Sequence, residues 1–251
     1  MNAEQYARMR EAEDTHWWYV GTRAIAADAI GRLALPPGSR ILDAGCGTAG
    51  NLAMLCRFGS VVGIDVSGLA LDLAAARVVT DSASAHRRWF VRASVEQLPL
   101  FDRSFDLVTS FEVLYHRAVR DDVAALREFR RALRPGGYVL LRLPAFEWLR
   151  GAHDRAVHTE RRYTAAGLAT KLDQAGFQLV DVTHVNALLL PVVVLKRAVE
   201  RLTGAVGDDL APTPGFVDAV CRAALAIERR VLRLRRLPLG VSLQAIARRV
   251  D

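Results

Sequence analysis

The residues best placed to do chemistry begin with one carboxylate. Asp43 closes the apolar run Ile41-Leu42 and is followed by Ala44-Gly45-Cys46-Gly47-Thr48-Ala49-Gly50. Glycine has no Cβ, so this stretch turns sharply and lets a ligand approach its backbone closely. Arg40 to Ala44 reads as a buried strand. Asn51 to Arg57 reads as a helix start whose unpaired N–H groups and positive dipole end face the turn. A strand, glycine turn and helix of this kind holds a nucleotide-like ligand at the carboxyl edge of a parallel sheet. The spacing Gly45-x-Gly47-x-x-Gly50 also satisfies the dinucleotide pattern, so a nicotinamide ligand has to be weighed. Asp43 argues against it. A carboxylate beside a pyrophosphate is repelled, whereas it suits a ligand that carries an ammonium and a sulfonium.

A second carboxylate ends a second apolar run, Val61-Val62-Gly63-Ile64-Asp65, with Val66 after it. At a strand end it accepts hydrogen bonds from both hydroxyls of a ribose, which specifies the sugar and not the reaction. Ser67 to Val79 reads as an amphipathic helix, and Arg88 to Ala93 as a third strand leading into Ser94-Val95-Glu96-Gln97-Leu98-Pro99-Leu100. Phe105 to Ser110 is a fourth strand flowing into Phe111-Glu112-Val113-Leu114-Tyr115-His116. Asp122 to Leu133 is a helix ended by Leu133-Arg134-Pro135-Gly136-Gly137, and Tyr138 to Leu143 a fifth strand.

Taken together, these segments resemble the class I S-adenosylmethionine (SAM) methyltransferases. The likeness rests on D-x-G-x-G at Asp43 to Gly47, the strand-end Asp65, V-L-x-H at Val113 to His116 and L-R-P-G-G at Leu133 to Gly137. The resemblance implies an α/β Rossmann-like fold: a seven-stranded, mostly parallel sheet in the order 3-2-1-4-5-7-6, the last strand antiparallel, with helices on both faces. It implies SAM as cofactor and S-adenosylhomocysteine as product. The cofactor contacts it implies are Asp43, Gly45, Cys46, Gly47, Asp65, Val66, Ser94, Val95 and Phe111. Ser94 stands where the family usually has Asp, and Leu100 where it has Phe, which weakens the expected adenine contact.

A more particular segment follows the fifth strand: Pro144, Trp148-Leu149, His153-Asp154, His158 and Arg161-Arg162-Tyr163. It resembles a bacterial small-molecule subgroup, methyltransferase type 11/12-like, that shares the early His16-Trp17-Trp18 and the closing Leu237-Pro238-Leu239-Gly240-Val241-Ser242-Leu243. An acceptor must sit at this edge. His153, His116 and His158 are therefore the candidate bases for a hydroxyl acceptor, with Asp154 available to orient an imidazole. Tyr115, Trp148, Asp154, Arg162 and Tyr163 are candidate acceptor contacts. His153, Asp154 and His158 also have a spacing that could hold a metal, but the third ligand that an open zinc site needs cannot be placed, and no metal is expected. Trp18 would close over the cofactor or plug the sheet edge as core, and Arg23 would pair with a cofactor carboxylate or lie solvated.

The elements that position these residues fill one domain, 1–251, with a helical cap at 1–35 and a helical insertion at 186–237 before a last strand, Val241 to Arg248. Within the cap, Ala24 to Leu35 is expected to be helical, with Pro36-Pro37-Gly38 as its stop. Thr164 caps a helix that runs to Ala175, and Phe177 to Val185 is the sixth strand. In the insertion, Leu188 to Leu202 is strongly apolar. Phe216 to Leu237 is a helix with a basic end at Arg229, Arg230, Arg233, Arg235 and Arg236. The insertion is expected to be peripheral to the cofactor and to cover the acceptor site, form a homodimer face or touch a membrane surface, if it is not a flap packed on its own sheet. The net charge of +7 comes with only two lysines, Lys171 and Lys196, and no nucleic-acid module, so nucleic acid is not an expected partner. Three cysteines without a disulfide framework and no apolar run of about 20 residues point to a cytoplasmic protein without a transmembrane segment. The expected reaction is methyl transfer from SAM to an oxygen or nitrogen of a small natural-product, sugar or lipid-linked acceptor. Rival readings are a catalytically silent SAM-fold partner subunit, an aminopropyl transferase and an NAD-dependent enzyme.

Overall fold

The computed structural model describes residues 3–80, 87–151, 154–155, 157–203 and 213–251. Its centre is a sheet of β1 (Ser39–Ala44), β2 (Gly59–Asp65), β3 (Arg88–Arg92), β4 (Phe105–Phe111), β5 (Leu133–Pro144), β6 (Gln178–Val185) and β7 (Ser242–Arg248). The strand order is β3-β2-β1-β4-β5-β7-β6, as the resemblance implied. β1, β2, β3, β4 and β5 run parallel, and β7 is antiparallel to both β5 and β6. Every residue of β4 is buried, as expected of a strand covered by helices on both faces. The two edges are less covered: Trp89 on β3 and Val180 on β6 are exposed.

Helices α1 (Ala3–Thr15), α2 (Trp17–Ile30), α3 (Leu52–Leu55) and α4 (Gly68–Thr80) precede β3. α5 (Asp122–Ala132), α6 (Ala165–Gln174), α7 (Leu190–Thr203) and α8 (Gly215–Leu232) follow β4. α5 starts where Asp121 accepts from the N–H groups of Val123 and Ala124, which satisfies two of its free donors. It buries Leu126 and Phe129 beside Leu168 and Leu172 of α6. Each such side chain removed from water is worth about 1.5–3 kcal/mol. The opposite face packs Ile30 of α2, Leu55 of α3 and Ala74 of α4 on β1 and β2.

Several boundaries differ from expectation; α8, for one, ends at Leu232 and not at Leu237. α2 begins at Trp17, seven residues before Ala24, because His16 leaves the helical region and its Nδ1 accepts from Trp18 N at 3.3 Å. The tryptophan pair is thus the first turn of a helix, which stops at Ile30, ahead of the proline pair. β5 begins at Leu133, ahead of Tyr138. Leu133 pairs with Phe105, the register then slips, and Gly136 at φ +80° takes up the extra chain.

Candidate functional site

β1, β2, β4 and β5 all end on one edge of the sheet, and the glycine turn closes that edge. Gly45 (φ +85°) and Gly47 (φ +54°) occupy backbone conformations that favour glycine. The Gly45 and Cys46 amides both donate to Ile64 O at 2.8 Å, and the Gly47 amide donates to Asp65 Oδ2 at 3.0 Å. Asp65 Oδ1 accepts from Ser67 N at 2.9 Å. A carboxylate offers about four lone-pair sites, so Asp65 anchors the turn and keeps acceptor capacity for ribose hydroxyls. The expected helix from Asn51 to Arg57 is only the single turn of α3. So short a helix contributes little dipole, and the turn acts through its shape and Asp65.

α1 is tied to this turn by a group the sequence did not single out. Glu13, 6% exposed, accepts from Thr48 Oγ1 at 2.6 Å and from Arg77 Nη2 at 2.8 Å. Burial raises its carboxyl above the ordinary range, against the pull of Thr48 and Arg77. Arg23, expected to meet a cofactor carboxylate, donates instead to the carbonyls of Gly50 and Glu13, the latter at 2.5 Å. It lines the cavity as a brace between α1, α2 and the turn. Nothing in the spacing of α1 marks Glu13.

Asp43 does not reach the cavity wall. It is 3% exposed and takes a hydrogen bond from Thr109 Oγ1 at 2.8 Å, one strand away. Burial pushes its carboxyl up to about 7, opposed by the Thr109 bond and assisted by the Glu13 and Asp65 charges. Its side chain lies behind the turn and outside the cavity lining, so the wall does not offer the expected direct contact with a cationic ligand.

On the acceptor side, Glu112 leaves β4 with φ +59°. Its Oε1 lies 3.2 Å from Nε of Arg142, which rises from β5 and is 4% exposed. The guanidinium is sandwiched between the rings of Trp18 and Phe111, 5.2 and 4.8 Å from their centroids. Arg142 Nη1 has no hydrogen-bond partner among the described residues. Burial raises the Glu112 carboxyl, and Arg142 pulls it back. Burial likewise lifts the Tyr19 and Tyr115 phenols, so both stay protonated donors. Two signals could have found this pair. Glu112 is a strand-end acid like Asp65, and Arg142 is a cation inside an otherwise apolar strand.

The histidine segment assembles differently from expectation. His116 lines the cavity, but its Nδ1 accepts from Ala118 N at 3.0 Å. In the neutral ring Nε2 then carries the proton, and the nitrogen engaged by Ala118 is not free to take one. Burial, then the neighbouring His158, lowers its pKa. His158 (φ +56°) stands edge-on to it at 5.8 Å and lies off the cavity wall. His153 falls outside the described residues. Asp154 orients no imidazole among them. It accepts from Arg162 Nε and Nη2 at 2.9 and 3.0 Å and from Gly151 N at 2.7 Å. Arg162 also donates to Ala145 O at 2.8 Å, so this cavity-lining pair is internally satisfied. Tyr163 is not an acceptor contact. Its hydroxyl sits 2.9 Å from Asp122 Oδ2 and 3.0 Å from Leu114 O, locking the segment to α5. Trp148 is half exposed, stacks on Phe146 and also misses the cavity.

One cavity of about 810 Å³ joins these parts, within the roughly 300–1,000 Å³ range of small-molecule sites. Gly45, Cys46, Gly47, Asp65, Val66, Ser94 and Val95 line one end. Phe111, Trp18, Glu112, Arg142 and Tyr115 line the middle. Leu189, Val192 and Val193 before and on α7, with Val217 and Cys221 on α8, line the other end. The insertion is therefore part of the cavity wall and not remote from it. Its basic end is largely neutralised: Arg229 and Arg233 pair with Asp28, and Arg236 with Asp181.

Residues 42–141 match a family model described as a methyltransferase domain. The chain is 38% identical over 108 residues to methyltransferase GfsG of Streptomyces halstedii, covering 42% of this chain and 38% of that protein. The first curated relatives are thus matched over about two fifths of their own length. The chain is 31% identical over 187 residues to the demethylmenaquinone methyltransferase of Lactiplantibacillus plantarum, covering 62% of this chain and 78% of that one. In fold it resembles the geranyl diphosphate C-methyltransferase of Streptomyces coelicolor, with a TM-score of 0.61 at 15% identity over 90% of this chain and 78% of that one.

Proposed function

This chain belongs to the class I SAM-dependent methyltransferases, and from that premise we propose that it methylates an oxygen or nitrogen of a small-molecule acceptor seated against Glu112 and Arg142. One cavity lined by both the glycine turn and this part-buried ion pair supports the reading. Residues 1–35 and 186–237 are the cap and insertion of one domain that together enclose it.

The residues present fit SAM. Gly45 and Gly47 keep the turn free of side chains, Asp65 has lone pairs for the ribose, and Ser94 and Val95 border the adenine side. Bound SAM supplies a methyl group already activated by its sulfonium. The chain has to hold the acceptor in line with that group and exclude water. Trp17, Trp18 and Tyr19, in the first turn of α2, wall the middle of the cavity against solvent. Arg142 holds the Glu112 side chain in place, and His116 Nε2–H supplies a donor to the acceptor. Glu112 takes the proton of a hydroxyl acceptor. Burial raises its carboxyl toward the range in which a general base is effective. His153 is the other candidate for that proton, from its place beside Asp154.

The relatives named above act, by their names, on demethylmenaquinone and geranyl diphosphate, which agrees with a small acceptor having an apolar part. The test uses methyl-labelled SAM and a cell extract split into small molecules, proteins and nucleic acids. Label should enter the small-molecule fraction and depend on the chain. Label confined to protein or nucleic acid would overturn the proposal.

A further inference from the structure

α7 is amphipathic with its polar side inward. Arg197 faces in, 6% exposed, and its Nη1 lies 2.7 Å from Glu200 Oε2. The outward side carries Val192, Leu195, Val199 and Leu202, at steps of three, four and three residues, with Leu188 in the turn just before the helix. The four are exposed by 65%, 66%, 48% and 87%, and Leu188 by 50%. α8 and the turn after it repeat the pattern with Phe216, Val220, Ile227 and Leu234, each at least half exposed. Of the twenty large apolar side chains exposed among the described residues, eleven lie between 188 and 234. A water-facing surface does not concentrate apolar groups in this way unless something covers them.

Charge selects the covering. No acid of α7 or α8 is freely exposed. The Glu200 side chain is 10% exposed and bonded to Arg197, Asp218 is 26% exposed and bonded to Arg222, and Glu228 is fully buried. Arg201, Arg230 and Arg235 are exposed on the same two helices or just beyond them, with no acid paired to them among the described residues. A second copy laid against this face would set cation against cation, whereas anionic lipid headgroups would be attracted. Neither helix is long and apolar enough to cross a bilayer, which leaves the interfacial position of an amphipathic helix. The face is also continuous with the cavity, because Val192 and Val217 belong to both.

We infer that α7 and α8 dock on an anionic bilayer surface and that the acceptor is a membrane-resident amphiphile. Its polar head reaches Glu112 and Arg142, and its apolar tail leaves between Val192 and Val217. The acceptor half of this inference rests on the proposed small-molecule methyl transfer, while the docking half does not.

The full chain is floated with vesicles of phosphatidylcholine alone or with an equal part of phosphatidylglycerol. Binding to the anionic vesicles should be at least about tenfold tighter and should weaken as salt rises. The double variant Leu195→Asp, Leu202→Asp should lose vesicle binding while keeping SAM affinity and melting temperature. Equal flotation of wild type and variant overturns docking. So does a wild-type dimer by light scattering that the same variant dissociates, since a second copy would then own the face. With labelled SAM, the lipid extract should take up label. Label in water-soluble small molecules alone overturns the amphiphile while leaving small-molecule methylation intact.

Discussion

Arg142 on β5 reaches back 3.2 Å from Nε to Oε1 of Glu112, which hangs in a left-handed conformation off the end of β4. The backbone at Glu112 is of a kind that costs about 1–3 kcal/mol and persists where the surroundings impose it. Here it brings a carboxylate against a buried guanidinium, and both residues line the cavity. Glu112→Gln should keep SAM binding within about twofold and slow transfer to a hydroxyl acceptor by roughly 10²–10⁴, the usual worth of a general base. His153→Ala is the companion variant. If it slows transfer and Glu112→Gln does not, the proton goes to His153.

Arg142→Met should weaken acceptor binding and leave SAM affinity intact. It also leaves the part-buried Glu112 carboxylate without its partner, so the variant should be less stable by about 1–3 kcal/mol at neutral pH. The double variant Glu112→Gln, Arg142→Met should recover much of that loss, because no charge is then buried alone. A double variant as unstable as the single one would show that the pair is not coupled. Chemical denaturation of the three proteins decides this.

Asp43 should make stability fall as pH rises. The folded chain holds its proton up to about 7, whereas the unfolded chain releases it near 3.8. Between those values the folded state binds more protons, so stability drops across about pH 4–7 and levels off above. Asp43→Asn removes the buried charge. At pH 8 the variant should be the more stable protein, by up to about 4 kcal/mol at about 1.4 kcal/mol per pKa unit, with the gain vanishing toward pH 4. It should also bind SAM more weakly above pH 7, since the charge behind the turn favours a cationic ligand. A variant no more stable than wild type at pH 8 would mean that Asp43 is ionised at little cost.

Gly50 is small because Glu13 lies against it. A Cβ there would sit 2.4 Å from the Glu13 carboxyl carbon. Gly50→Ala should therefore displace the buried carboxylate, cost about 1–3 kcal/mol of stability and loosen α1 from the turn. SAM affinity should fall with it, and faster amide exchange over Ala3–Thr15 would report the release. Unchanged exchange there would show that α1 is held elsewhere.

Asp65→Ala should lower SAM affinity by about 1.5–3 kcal/mol, the range for hydrogen bonds to a charged group. The same change frees the amides of Gly47 and Ser67, so the turn itself should loosen. Asp65→Asn keeps one acceptor oxygen and should recover part of the affinity. Calorimetric titration of SAM into both variants measures the difference.

Local patterning in this chain carries far. Ile41-Leu42, Val61-Val62 and Phe105 to Ser110 are apolar runs punctuated by glycine and acid. Parallel strands covered on both faces leave that mark, so the strands, the glycine turn and Asp65 were all legible. With the family resemblance, the strand order was legible too. Tertiary structure decided which polar groups face the cavity, because that depends on contacts between residues with no local relation. Asp43 turned away to Thr109, 66 residues on, while Glu13 came 35 residues to Thr48 and Arg142 came 30 to Glu112. Tyr163 and Asp154, motif residues by sequence, were claimed by Asp122 and Arg162. α7 followed the helical period in its sequence, but only the fold showed that its apolar side faces outward. Periodicity fixes which residues share a face. The neighbour each face meets is set by how distant segments pack.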